Sequence, residues 1–130
     1  MKRIEVVAAV IINDNKILCV QRNVNKYDYI SKKYEFPGGK IEAGESQENA
    51  LLREINEELN LPIDIKEKFL TVVHEYPDFE LTMHSFLCVC KTRNLNLTEH
   101  IDFKWLDKIE LPQLDWAAAD LPIVNKLINC

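Results

Sequence analysis

Glycine is scarce in this chain of 130 residues, which contains only three. Gly38 and Gly39 are adjacent and follow Pro37, and Gly44 comes shortly afterwards. Because glycine permits positive φ angles and a close approach of the backbone to a ligand, this clustering indicates a specialised loop. The scarcity of glycine elsewhere excludes flexible glycine-rich linkers and low-complexity tracts.

Basic residues are also in deficit, with 16 Lys and Arg against 21 Asp and Glu and a net charge of −5. Proteins that bind nucleic acid polymers rely on clustered Lys and Arg, so this balance argues against such a partner and favours a small molecule. No apolar stretch has the length of a signal peptide or a membrane span. We therefore expect a cytoplasmic protein without membrane contact, as a monomer or a weak homodimer.

Cysteine and histidine are too few and too scattered for a zinc site. The cysteines are Cys19, Cys88, Cys90 and Cys130. The histidines are His74, His84 and His100. We expect the cysteines to be buried free thiols, with Cys88 and Cys90 on one face of a strand, and the histidines to have core or surface roles.

The composition, 47% hydrophobic and 28% charged, predicts one globular domain over residues 1–130. The pattern predicts strands over residues 6–12, 16–21, 69–74, 81–90 and 103–106. The first two form a hairpin around residues 13–15, and a turn at residues 76–78 joins the next pair. A helix is predicted over residues 121–128, with Asp120 as its N-cap and Pro122 in its first turn.

Acidic residues define the most informative segment. Glu54, Glu57 and Glu58 are spaced i, i+3 and i+4, so on a helix their side chains converge on one patch. No basic residue lies between Glu54 and Glu58, and like charges at this spacing repel. A bound divalent cation would relieve the repulsion, and oxygen ligands favour Mg²⁺ or Mn²⁺ over zinc.

The same helix also carries purely structural signals, which support the alternative of a solvated acidic face. Ser46 is a candidate N-cap and Asn60 a candidate left-handed C-cap. Arg53 and Glu57 can pair at i, i+4. The predicted buried stripe consists of Leu51, Leu52, Ile55 and Leu59. The glycines immediately before the helix favour the ligand site over this alternative.

Together these residues resemble the Nudix box of the Nudix hydrolases. The pattern is Gly39, five residues, Glu45, seven residues, Arg53-Glu54-Ile55, one residue, Glu57-Glu58, one residue and Asn60-Leu61. Asn60 stands where the family usually has glycine, and asparagine also tolerates a left-handed conformation. Outside the box, the chain resembles the MutT-like nucleoside triphosphate pyrophosphohydrolases. It is more similar to the branch that acts on CTP and modified dCTP than to the 8-oxoguanine branch, which tends to carry Asn at the position of Asp120.

The resemblance implies an α/β fold, a Nudix-type α/β/α sandwich with a mixed sheet between the box helix and the C-terminal helix. It implies Mg²⁺-dependent hydrolysis of nucleoside triphosphates to monophosphate and pyrophosphate, with Mn²⁺ as a substitute cation. The implied metal ligands are Glu54, Glu57, Glu58, Glu99 and the carbonyl of Gly38. Glu54 is alternatively the general base. The residues implied to hold loop and helix in register are Glu45 and Arg53. The implied substrate contacts are Arg22, Lys40, Phe36 and Asp120.

Several alternatives stay open at this stage. Glu99 can be an exposed loop carboxylate, Arg22 and Lys40 solvated cations, and Asp120 a helix cap rather than a reader of the base. The whole domain can be a catalytically silent nucleotide sensor, or an enzyme acting on a nucleoside diphosphate derivative such as ADP-ribose.

Overall fold

The computed structural model describes residues 1–129, over which the chain forms seven strands and two α-helices. The strands are β1 (Lys2–Asn13), β2 (Lys16–Gln21), β3 (Tyr34–Glu35), β4 (Gly38–Lys40), β5 (Asp64–Glu75), β6 (Phe79–Val89) and β7 (Asp102–Leu106). The helices are α1 (Gln47–Leu59) and α2 (Leu121–Ile128). Two 3₁₀ turns, Lys108–Gln113 and Ala118–Asp120, precede α2. No helix within the described residues is long and apolar enough to cross a membrane.

All seven strands belong to one mixed sheet in which β1 is central. The main order is β3-β2-β1-β6-β5, with β4 paired to β1 and β7 paired to β2. Strands β1 and β6 are parallel, and the other pairs are antiparallel. The pairing of Val7 with Gly39 carries the glycine segment into the middle of the sheet.

The alternation of side chains along β1 separates two apolar cores. Ala8 and Val10 face a cluster that includes α2, whereas Val7, Ala9 and Ile11 face a cluster that includes α1. The helices therefore cover opposite faces of the sheet. This arrangement confirms the predicted α/β/α sandwich.

Most predicted elements are confirmed, including the hairpin between β1 and β2 and the exact span of the terminal helix. Strand β5 begins at Asp64 rather than at residue 69, because two register shifts and exposed charged residues obscure its apolar alternation. Leu52 was wrongly placed in the buried stripe and is 42% exposed. One residue corresponds to about 100° of helix rotation, which turns Leu52 away from the stripe of Leu51 and Ile55.

The glycine segment also differs from the prediction of a loop with unusual backbone angles. Gly38 and Gly39 lie in strand β4, and only Gly44 among the glycines has positive φ, at 81°. Close backbone approach is the reason for glycine in β4. A Cβ on Gly38 would overlap the carbonyl oxygen of Val7, and one on Gly39 would overlap the carboxylate of Glu54.

The cysteine prediction is confirmed where the structure describes it. Cys19, Cys88 and Cys90 are free and buried, and Cys88 and Cys90 pack in the cluster on the α1 side. Burial raises the pKa of Cys19 and Cys88 to about 12, so these thiols are held in their unreactive protonated form. Cys130 lies outside the described residues.

Candidate active site

Helix α1 begins and ends at the predicted caps. The Ser46 hydroxyl accepts a hydrogen bond from Asn49 N at 3.1 Å, which satisfies one of the free amides of the first turn. Asn60 adopts the left-handed conformation, φ 49° and ψ 43°, and its N–H bonds to the carbonyl of Asn56. These caps and the buried stripe fix the rotation of the helix, so its carboxylates face strand β4.

Arg53 contacts one half of the carboxylate cluster. Its Nε lies 2.7 Å from Glu45 Oε2, and its Nη1 lies 2.8 Å from Glu54 Oε1 and 3.3 Å from Glu57 Oε2. Its Nη2 donates to Glu45 Oε1 at 2.9 Å and to the carbonyl of Lys40 at 3.0 Å. The hydrogen bonds from Arg53, with one from the Glu42 amide, lower the pKa of Glu45 to about 2. Arg53 thereby ties the loop before α1 to the helix.

Glu58 forms the other half of the cluster, and it has no such cation. Its side chain is only 14% exposed. Burial, reinforced by the negative charges of Glu35, Glu54 and Glu99, raises the pKa of Glu58 to about 9. Its Oε2 is buried without a hydrogen-bond partner among residues 1–129. Such an atom is costly unless another group satisfies it.

His100 and Glu35 lie beside Glu58, although the sequence analysis did not assign either of them to the site. His100, 5% exposed, places Nδ1 3.7 Å from Glu58 Oε2 and Nε2 3.0 Å from Glu35 Oε2. Arg22 Nη1 lies 3.3 Å from the other Glu35 oxygen. The expectation of an ordinary core role for His100 missed this placement. The sequence did contain a signal for both residues, because each is adjacent to a predicted site residue. Glu35 directly precedes Phe36, and His100 directly follows Glu99.

A cavity of about 560 Å³ opens between the sheet, the segment after β2 and the segment before α2. The predicted site residues that line it are Arg22, Phe36, Gly38, Lys40, Glu58, Glu99 and Asp120. Glu45, Glu54 and Glu57 instead surround Arg53. Tyr27, Tyr76 and Phe79 add aromatic surface to the lining. The lining of the cavity thus combines carboxylates with apolar and aromatic side chains.

Asp120 is a buried carboxyl in this cavity, and its side chain does not cap α2. Asp120 is the N-cap residue of α2, as predicted, but its side chain makes no capping hydrogen bond, because its backbone angles are helical, φ −85° and ψ −17°, rather than the extended angles typical of an N-cap. Its Oδ1 instead accepts from Phe36 N at 3.0 Å. Burial, and then the charge of Glu35, raise the pKa of Asp120 well above its ordinary value. The Phe36 ring itself stacks on Trp116, with centroids 4.7 Å apart.

The donor set fits a hard divalent cation. Glu58 Oε2 is a buried carboxylate oxygen without a partner, and further carboxylates lie around it. Within residues 1–129 no three Asp, Glu, His or Cys side chains stand together as a preformed metal cage. Glu54 and Glu57 contact Arg53.

The sheet flanked by two helices, with the acidic α1 beside a glycine-containing strand, is the arrangement that the resemblance to the Nudix hydrolases implied. The chain belongs to the Nudix family, because the NUDIX domain model matches residues 2–127. The resemblance found in the sequence is confirmed, and the protein is a Nudix hydrolase.

Two curated relatives cover nearly the whole chain. The CTP pyrophosphohydrolase of Escherichia coli K12 is 36% identical over 125 residues, which are 96% of this chain and 91% of that protein. The 8-oxo-dGTP diphosphatase of the same strain is 29% identical over 127 residues, 98% of each chain.

Solved structures show the same fold. The E. coli ORF135 protein superposes with a TM-score of 0.82 at 34% identity, over 99% of this chain and 91% of that chain. A MutT protein from Methanosarcina mazei Go1 superposes with a TM-score of 0.88 over 98% of this chain and 94% of that chain. At 21% identity it bears on the fold alone.

Proposed function

We propose that this protein hydrolyses nucleoside triphosphates to the monophosphate and pyrophosphate, with Mg²⁺ as its cofactor and Mn²⁺ as a substitute. The observation that carries the proposal is that Glu58 and Asp120 line the same cavity. A triphosphate near Glu58 can place its base near Asp120. Such a reaction would remove modified or excess nucleotides.

The residues proposed to hold the cation are Glu54, Glu57, Glu58, Glu99 and the carbonyl of Gly38. The cation would neutralise phosphate charge and orient a water molecule for attack. Arg22 and Lys40 line the same cavity and can contact phosphate oxygens. Glu54, if it is not a ligand, can accept the proton of the attacking water.

Asp120 is the proposed reader of the base. Its Oδ1 is held by the Phe36 amide, which orients Oδ2 for a ligand in the cavity. A carboxylate oxygen accepts from the exocyclic amine of cytosine, as in protein contacts to DNA bases. A raised pKa also favours the neutral carboxyl, which can donate as well. This chemistry, together with the similarity to a CTP pyrophosphohydrolase, favours CTP or 5-methyl-dCTP, with 8-oxo-dGTP as the second candidate.

The experiment is a substrate panel with Mg²⁺, in which both products are identified. CTP, 5-methyl-dCTP, 8-oxo-dGTP and ADP-ribose are incubated with the protein and with Glu57→Gln as the matched inactive control. Release of monophosphate and pyrophosphate supports the proposal. Cleavage of ADP-ribose in preference to every triphosphate would replace the substrate class, and nucleotide binding without turnover would indicate a sensor.

A further inference from the structure

We propose that His100 is itself a ligand of the divalent cation, through Nδ1, alongside Glu58 Oε2. The inference rests on the cation of the proposed function and adds a nitrogen donor to a ligand set otherwise made of oxygens. It makes the site a mixed nitrogen and oxygen site.

The hydrogen bond to Glu35 determines which nitrogen of His100 is available. Glu35 accepts from Arg22 through Oε1 and meets His100 Nε2 through Oε2 at 3.0 Å. A carboxylate oxygen accepts, so this contact is a hydrogen bond in the tautomer that carries its hydrogen on Nε2. In that tautomer Nδ1 has a lone pair.

Nδ1 lies close to a carboxyl oxygen of Glu58. His100 Nδ1 and Glu58 Oε2 are 3.7 Å apart, and each is buried without a hydrogen-bond partner among residues 1–129. This separation is too long for a hydrogen bond. Adjacent ligands of an octahedral cation at about 2.1 Å lie about 3.0 Å apart, so a shift of less than about 1 Å would bring both atoms to one cation. Such a cation would satisfy both atoms.

The surroundings of His100 match those of a metal-bound histidine. Such a residue donates its second ring N–H to a carboxylate, which fixes the ring, and Glu35 has that position here. The backbone is anchored on both sides of His100. Thr98 N bonds to the carbonyl of Glu58 at 3.2 Å, and Ile101 N bonds to the carbonyl of Gln21 at 3.0 Å. The ring is thus held before any cation arrives.

A nitrogen ligand changes which cation is preferred. Mg²⁺ favours oxygen ligands, whereas imidazole suits later transition metals. We therefore expect the protein to bind Co²⁺ more tightly than Mg²⁺, and His100→Gln to reduce the ratio of these two affinities.

The test is electron spin-echo envelope modulation of the Mn²⁺-loaded protein, which detects nitrogen bonded to the metal without requiring turnover. The variant is His100→Gln. Its amide N–H can still donate a hydrogen bond to Glu35, but it has no metal-binding atom at the position of Nδ1. The matched control is His84→Gln, since His84 bonds to Thr71 and Glu5 outside the cavity. Wild-type protein with ¹⁵N-labelled histidine gives a readout that requires no variant to fold.

We expect an imidazole nitrogen signal in the wild type and in His84→Gln, its replacement by a ¹⁵N signal on labelling, and its loss in His100→Gln. The Kd for Mn²⁺ should rise about tenfold or more in His100→Gln. The proposal is overturned if Mn²⁺ does not bind, if bound Mn²⁺ shows no imidazole nitrogen, or if His100→Gln keeps wild-type affinity and signal. A nitrogen signal without hydrolysis of any triphosphate supports the ligand and contradicts only the proposed function.

Discussion

The carboxylates of α1 and its preceding loop fall into two groups that differ in whether they contact an arginine side chain. Glu45, Glu54 and Glu57 contact the guanidinium of Arg53. Glu58, four residues after Glu54, is half-buried with its Oε2 fully buried, and it contacts no guanidinium within the described residues. The pKa of Glu45 is lowered to about 2, whereas the pKa of Glu58 is raised to about 9. Sequence spacing alone would have made these carboxylates equivalent.

The difference indicates two roles for negative charge on one helix. The Arg53 group shares a permanent cation of the protein, which stabilises the loop and helix in the absence of ligand. The Glu58 group has a charge that only a proton or an exchangeable cation can neutralise. The contacts with Arg53 support the structure, and Glu58 is suited to binding a metal, where the proposed function adds Glu54 and Glu57 as further ligands.

The largest expected effect is on turnover, in Glu57→Gln. Changing an outer-shell partner of a metal costs 10- to 100-fold, so losing a proposed ligand should lower kcat by about 100-fold or more. The fold should be unaffected, because the Glu57 side chain is 57% exposed. Steady-state kinetics and circular dichroism measure the two effects, with the exposed Glu48→Gln as control. A folded variant with wild-type turnover would remove Glu57 from the metal site.

The next effect is on stability, in Arg53→Gln. This change leaves Glu45, Glu54 and Glu57 without their shared cation, and we expect the melting temperature to fall by about 5 °C or more. Arg3→Gln is the matched control, because Arg3 is 84% exposed and has one long contact, 3.7 Å, to Glu80. Equal melting temperatures for the two variants would contradict the structural role of the Arg53 group.

Asp120→Asn tests the proposed base-reading role of Asp120, the buried carboxyl elsewhere in the cavity. Asparagine keeps an acceptor for the Phe36 amide, so the fold should be retained. If Asp120 reads cytosine, kcat/KM for CTP and 5-methyl-dCTP should fall by about 1–3 kcal/mol of transition-state stabilisation, with a smaller loss for 8-oxo-dGTP. Equal losses on all three substrates would leave Asp120 with a structural role only.

The smallest expected effect is on the stability of Glu45→Gln and on how that stability depends on pH in the acidic range. The ordinary pKa of glutamate, 4.5, is lowered to about 2 in the folded protein. The ionised Glu45 therefore contributes stability above pH 4.5, and this contribution is lost as the pH falls from 4.5 towards 2. Urea unfolding at several pH values should show Glu45→Gln less stable than the wild type at pH 6, with the difference shrinking towards pH 2. A difference independent of pH would contradict the pairing with Arg53.

Local sequence signals predicted much of α1 and its caps, because Ser46 and Asn60 act within one turn of the helix. The grouping around Arg53 was only partly predictable, since it depends on how the loop carrying Glu45 folds back onto the helix. His100 comes from a segment after β6, so only the folded chain brings it to Glu58. The side chain of Asp120 turns to the Phe36 amide, a direction that its place before α2 does not reveal.

The most direct test of the two-group account is the free energy of unfolding of the wild type and Glu58→Gln at pH 8, in chelator and in excess Mg²⁺. The pKa of Glu58 is raised from 4.5 to about 9 in the folded protein, so the wild type loses stability as the pH rises through this range. Glu58→Gln, which cannot ionise, should therefore be at least as stable as the wild type in chelator. Mg²⁺ at 100 times its Kd should stabilise the wild type by about 2.7 kcal/mol and the variant by much less. A variant that is less stable in chelator, or that keeps the full Mg²⁺ response, would contradict the account.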